Sequence, residues 1–195
     1  SSNSMTYHGD IDGNFSNTDP DNLAGNLIIT HSILVNNGKR ITLDSLQMIA
    51  DNNNGNHNLE LKSDFITASI KGKYKLTQLA DVFQQLIDPY FSMGPKKMKP
   101  KIDSYHFTIS AGVPDNPALH TFLPSLTQLK PVSFNGSFAS DRGFSLNLKS
   151  HYIVYAGTIV NDLSINAITK NGALAFNTSF KQIKNGTALN VYATA

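Results

Sequence analysis

Alternation of apolar and polar residues runs through most of this chain, and a period of two fits little besides β-strands that bury one face. "NLELKS" carries Leu59 and Leu61 on one parity, and "FITASIKGKY" carries Ile66, Ala68, Ile70 and Tyr74. "FSLNLKS" presents Phe144, Leu146 and Leu148, and "YIVYAGTIV" follows with Ile153, Tyr155 and Ile159. "ITLDSLQMIA" starts with Ile41 and Leu43 on one parity and ends with Leu46, Met48 and Ala50 on the other. Asn-Gly, which supplies both positive-φ residues of a type I′ turn, occurs at Asn37-Gly38, Asn54-Gly55, Asn135-Gly136, Asn171-Gly172 and Asn185-Gly186. Four of these fit hairpin turns between alternating segments. Asn135-Gly136, inside "VSFNGSFAS", fits a bulge equally well.

Two internal echoes suggest a repeat architecture. "LELKSDFITASIKGKY" and "FSLNLKSHYIVYAGTIV" share Leu-x-Leu-Lys-Ser, a polar residue and an aromatic at an offset of 87. In both, the apolar parity slips by one, and a slip of one sends side chains to the other face. A bulge or corner near Ser63-Asp64 and Ser150-His151 is therefore expected, returning Ile66 and Ile153 to the face of the preceding leucines. A longer echo relates "DSLQMIADNNNGNHNLELKSDF" to "NDLSINAITKNGALAFNTSF", offset by about 115, both reading strand, Asn-Gly turn, strand.

Two helices interrupt the β pattern. "TQLADVFQQLIDPYF" sets Leu76, Leu79, Val82, Phe83, Leu86, Ile87 and Tyr90 at helical spacing. Thr77 is its expected cap and Asp88-Pro89 its expected end. "NPALHTFLPSLTQLK" opens with Asn116 as cap and Pro117 at the first helical position, and Pro124 breaks it. Core packing against the sheet is the expected role of both stripes. Between them, "SMGPKKMKPK" holds Lys96, Lys97, Lys99 and Lys101, four of the sixteen basic residues. It is expected to be a solvated boundary loop, or, on a sharper reading, a contact for anionic lipid head groups. The expected division is a first β unit with its helix over 1–92, a basic linker over 93–101, and a second β unit over 102–195 that starts the next repeat.

Chemistry-bearing motifs are sparse. The chain has no cysteine, which removes disulfides and thiolate metal sites. His8, His31, His57, His106, His120 and His151 have no second ligand at metal-binding spacing, so surface positions are expected. "GDIDGN" sets Asp10, Asp12 and Asn14 on alternate positions, but its glycine falls at the fourth loop position and no closing Glu follows. A turn between short strands is expected there. No catalytic residues, cofactor or metal are expected, and the chain is read as not an enzyme. Only 15% of residues are charged, against about 25% in average soluble domains, and the net charge of +2 is too small for a nucleic-acid partner.

The phrases "LDSL", "LKSDF" and "ASIKGKY" and the following Leu-rich helix resemble the repeat of the TamB proteins of Bacteroidetes-type bacteria, within the AsmA-like group. "NPALHTFLPSLTQLKPVSFNGSF" resembles the segment that follows in that family. The resemblance implies a mainly β fold: an elongated, curved antiparallel sheet of repeats forming an open trough, of the "β-taco" kind, here with two short amphipathic helices. It implies a periplasmic segment of a bridge-like protein between inner and outer membrane. The opening "SSNSMTYH" resembles no natural start, so the inner-membrane anchor is expected outside this fragment. The implied partners are phospholipid or another acyl-chain lipid, adjacent repeats, and an outer-membrane barrel assembly protein. The expected apolar lining is Leu46, Met48, Leu59, Leu61, Ile66 and Ile70, then Leu146, Leu148, Ile153, Tyr155, Leu163 and Ile165. Two rival readings share the alternation: an assembly factor acting by strand addition, and a closed β-sandwich adhesin or carbohydrate-binding module. The absence of tryptophan weighs against the last.

Overall fold

The computed structural model describes residues 5–36, 39–91, 100–170, 172–184 and 187–194. Among them the chain forms twelve strands and two α-helices. The first half contains β1 (Met5–Asn17), β2 (Ala24–Asn36), β3 (Lys39–Asn53), β4 (Asn56–Ser63), β5 (Thr67–Lys73) and α1 (Leu79–Phe91). The second contains β6 (His106–Val113), α2 (Pro117–Phe122), β7 (Leu126–Leu129), β8 (Val132–Ala139), β9 (Gly143–Tyr155), β10 (Thr158–Lys170), β11 (Ala173–Lys184) and β12 (Thr187–Thr194). All pair antiparallel in one sheet, in the linear order β1-β2-β3-β4-β5-β6-β8-β9-β10-β11-β12, with β7 on β9. The sheet is open, with β1 and β12 as its edges. It is a mainly β, elongated architecture of antiparallel strands. β5 pairs with β6 along its whole length, so the sheet continues across the expected linker, of which 93–99 lies outside the described residues.

The hairpins follow from local chemistry. Asn54 (φ 50) and Gly55 (φ 78) form the β3–β4 turn with both residues left-handed, as type I′ requires. Gly172 (φ 77) serves β10–β11. Asn37-Gly38 and Asn185-Gly186 lie outside the described residues, between strands paired up to Asn36↔Lys39 and Lys184↔Thr187. Asn135-Gly136 is neither turn nor bulge: β8 passes through it with unbroken register against β6 and β9. "GDIDGN" likewise lies within the long strand β1 rather than in a turn.

Cross-strand pairing sorts the side chains into rows. One row runs Met48, Leu61, Ala68, Ala111, Phe134, Leu148, Ile165 across seven adjacent strands. The next runs Ala50, Leu59, Ile70, Ile109, Gly136, Leu146, Ala167. Leu46, Met48 and Ala50 of β3 thus share rows with Leu163, Ile165 and Ala167 of β10, which is the longer sequence echo realised as an in-register repeat six strand steps apart.

Helix α1 lies across one end of this face. Thirteen residues give a helix of about 20 Å, matching the roughly 19 Å from β5 to β10 at the usual strand spacing. Tyr90 Oη reaches the far hairpin and donates to the Gly172 carbonyl at 3.3 Å. Beneath it sits the main core: Tyr74, Val82, Phe107, Phe138, Phe144 and Ala167. The Phe107 ring stacks on Phe138 at 5.1 Å and meets Tyr74 edge-on at 5.7 Å. Burial pushes the Tyr74 phenol up to about 12. Two helix-end expectations are corrected. Thr77 is not a self-supplied cap: its N–H and Oγ1 both donate to the Asp21 carboxylate, 56 residues earlier. Pro89 does not end α1, because in the last turn it forfeits only a bond to the Gln85 carbonyl.

The opposite ends of the long strands behave differently. β4, β5 and β6 stop short while β3 and β9 run on, and α2 contacts both β3 and β7 there. Asn116 caps α2 through the Ala118 N–H, and its Nδ2 donates to the Asp64 carbonyl. Ile41, Ala118, Leu126 and Leu129 are buried here. Leu129 pairs with Ile153, and both alternate to the face opposite Leu146 and Leu148.

This corrects the reading of the parity slips. β9 keeps one register against β10 on both sides of His151, from Leu163↔Ser150 to Asn161↔Tyr152, with the His151–Asp162 position between them unpaired. No extra residue enters β9 against β10 there, so by alternation Ile153 and Tyr155 fall on the other face. The irregularity lies in the facing strand, where Asp162 (φ 51) is left-handed and the β10–β11 register shifts. The slip at Leu43/Leu46 in β3 lies opposite the left-handed His31 of β2, and α2 packs on that strand. In the first phrase the device is a hairpin. Ser63 Oγ accepts from the Phe65 and Ile66 N–H groups, and the chain reverses. The two phrases offset by 87 therefore make different structures, a hairpin and a single strand.

Candidate functional site

Ten of the twelve residues expected to line an apolar surface share one face of the sheet. Leu46, Met48, Leu59, Leu61, Ile66 and Ile70 stand on it from β3 to β5, and Leu146, Leu148, Leu163 and Ile165 on β9 and β10. Ile153 and Tyr155 do not, and Tyr155 is 52% exposed beside the β9–β10 turn. Ile70 and Leu146 pack against the α1 core. The row from Met48 to Ile165 lies outside the fully buried set and forms a half-buried apolar strip beside α1. The geometry is that of an open trough with an apolar face, closed at one end by a helix.

Lys96, Lys97 and Lys99 lie outside the described residues, and Lys101 is exposed. It belongs to the segment that returns from α1. There the Lys75 ammonium meets the Asp103 carboxylate at 2.7 Å, raising the lysine and lowering the aspartate.

Three of the six histidines are paired with carboxylates, which sequence spacing did not reveal because two of the pairs form across strands. His31 meets Asp10 at 3.0 Å and His151 meets Asp162 at 3.3 Å, all well exposed. His31 (φ 52) and Asp162 (φ 51) both take left-handed backbone. They lie where register shifts interrupt the β1–β2 and β10–β11 ladders. No group of three or more His, Cys, Asp or Glu converges on a metal-sized site among the described residues.

His120 is held on both sides. Its Nδ1 lies 2.6 Å from the Leu126 carbonyl and its Nε2 2.7 Å from Asp115 Oδ1. Two acceptors require two N–H donors, hence the imidazolium. The Leu126 carbonyl first, and then Asp115, raise the His120 pKa. A raised folded-state pKa contributes stability that is complete below the ordinary value near 6.5 and is lost as pH rises through the folded value. Amide exchange in α2 and β7 should therefore quicken as pH rises through that range, beyond its intrinsic base catalysis. His120→Gln should abolish the excess, and an equal excess in the variant would show that another group is responsible.

No family model, no curated protein and no solved structure matches this chain.

Proposed function

We propose that this chain is a non-catalytic segment of a longer TamB/AsmA-like bridge protein, and that its apolar strip shields lipid acyl chains between the two membranes. On this reading it works in the periplasm, with its membrane anchor elsewhere and neighbouring repeats at its edges. One observation carries the proposal: a continuous apolar row from Met48 to Ile165, left half-buried across seven strands while α1 covers the adjoining rows. An apolar sheet face of this size is not left in water without a partner. Acyl chains can cover it at about 0.8 kcal/mol per buried methylene. The strip is apolar at each of its seven strands, so a chain could move along it without meeting a polar barrier. The linear strand order leaves the trough open along its side.

Protein purified without harsh detergent is expected to carry phospholipid detectable by native mass spectrometry and solvent extraction. Leu61→Asp and Leu148→Asp should lower that load about tenfold, the effect of an unpaired charge on an apolar contact. Lys62→Asp and Lys149→Asp, on the other face, should leave it unchanged, and so should Ile153→Asp. Equal loss in both sets would sink the conduit.

The exposed edges favour a second reading, strand addition to a barrel substrate. Tyr192 of β12 is 80% exposed and Leu189 is 56% exposed. A photocrosslinker at Tyr192 should then trap a barrel-protein peptide, an outcome the lipid conduit does not require.

A further inference from the structure

The face opposite the apolar strip is organised with comparable regularity. Ser110, Asn135, Asn147, Asn166, Asn177 and Thr194 stand directly opposite one another on six adjacent strands. Beside them run Thr108, Ser137, Ser145, Ile168 and Ala175. Together, up to Asn177 and Ala175, these two rows floor an open groove of about 620 Å³. Its lining contains no ionisable side chain. The nearest charges along the same rows, Glu60 and Lys71, neutralise each other at 3.0 Å.

We infer that this groove binds a neutral, hydroxyl-rich linear ligand, of the class of an unbranched oligosaccharide. Each side-chain amide offers both donors and an acceptor, and each hydroxyl offers both roles, which matches ligand hydroxyl groups that also do both. The amides repeat at the strand spacing of about 4.8 Å, giving a line of equivalent contacts rather than one pocket. The ladder is partly ordered in advance. Asn147 Nδ2 donates to Asn166 Oδ1, and Asn166 Nδ2 donates to Ser164 Oγ at 3.5 Å. Among the described residues, the Asn135 and Asn177 amides have no side-chain partner, and both are exposed toward the groove. Ile168, 50% exposed, and Ala175 supply an apolar margin on which the C–H face of a sugar ring can rest in place of an aromatic platform. An acyl chain would strand the amides, and a polyanion would find no unpaired cation. The inference does not depend on the lipid proposal, since it uses the other face.

The test is titration of the isotope-labelled chain with cellohexaose, followed through the asparagine side-chain amide signals. Shifts confined to Asn135, Asn147, Asn166 and Asn177 are expected, insensitive to high salt. Asn135→Leu combined with Asn177→Leu should weaken binding about tenfold while thermal stability holds, because leucine is tolerated on a strand. If that variant fails to fold, Ser137→Ala read in the same titration should still weaken binding measurably. Absence of shifts, shifts unchanged in the variants, or an equal response to anionic polygalacturonate would each overturn the inference.

Discussion

Phe107→Ala is expected to remove about 3–5 kcal/mol of folding stability, the range for truncating a fully buried aromatic. Phe107 is 1% exposed, the most buried large side chain among the described residues, and its ring contacts Tyr74, Phe83, Tyr105 and Phe138. The loss should be large because the hold of α1 on β5, β6, β8 and β9 passes through this ring cluster. Urea unfolding read by circular dichroism will check it, with Tyr192→Ala, 80% exposed, expected within about 0.5 kcal/mol of the parent. A change below about 1 kcal/mol at Phe107 would mean that α1 is not seated as described.

Gly72→Ala is the second large effect. Gly72 has φ +129, a conformation close to glycine-only, and an added Cβ would lie 2.3 Å from the His106 carbonyl oxygen and 2.8 Å from the Phe107 Cα. Both obstacles are backbone, so no side chain can swing aside. The backbone strain alone costs about 1–3 kcal/mol, and relief requires β5 and β6 to separate locally. That pair is the junction between the halves of the chain. The expected signature is a loss of about 2–3 kcal/mol or more together with faster amide exchange in β5 and β6 than elsewhere. Gly55→Ala, with φ +78 and nothing within 4 Å of the added carbon, should cost only the left-handed strain of about 1 kcal/mol. Equal effects at the two sites would show that the β5–β6 contact is not the cause.

The hairpins were legible because Asn-Gly states its own backbone geometry. The β9–β10 turn was not, since Ala156 (φ 48) and Gly157 (φ 73) make the same shape with a residue that carries no such preference. The parity slips in β3 and β9 were visible, but a slip says only that the buried face changes. Whether the strand itself bends or the facing strand carries the irregularity depends on the pairing, which no local pattern encodes. The Asp21–Thr77 cap and the His31–Asp10 pair are similarly long-range. Of the apolar surface, ten residues fall on one face because alternation is a local property. The asparagine ladder needs four strands in known register, so it emerges only once the pairing is fixed.

The in-register echo between β3 and β10 has a metric meaning. Six strand steps amount to about 29 Å along the sheet, and the matching rows return to the same height after that distance. Duplicating such a block lengthens the molecule by a fixed increment without disturbing the pleat or the continuity of either surface. Evolution can therefore set the span of a protein of this kind by counting copies, as a carpenter's rule is extended by adding hinged segments of equal length.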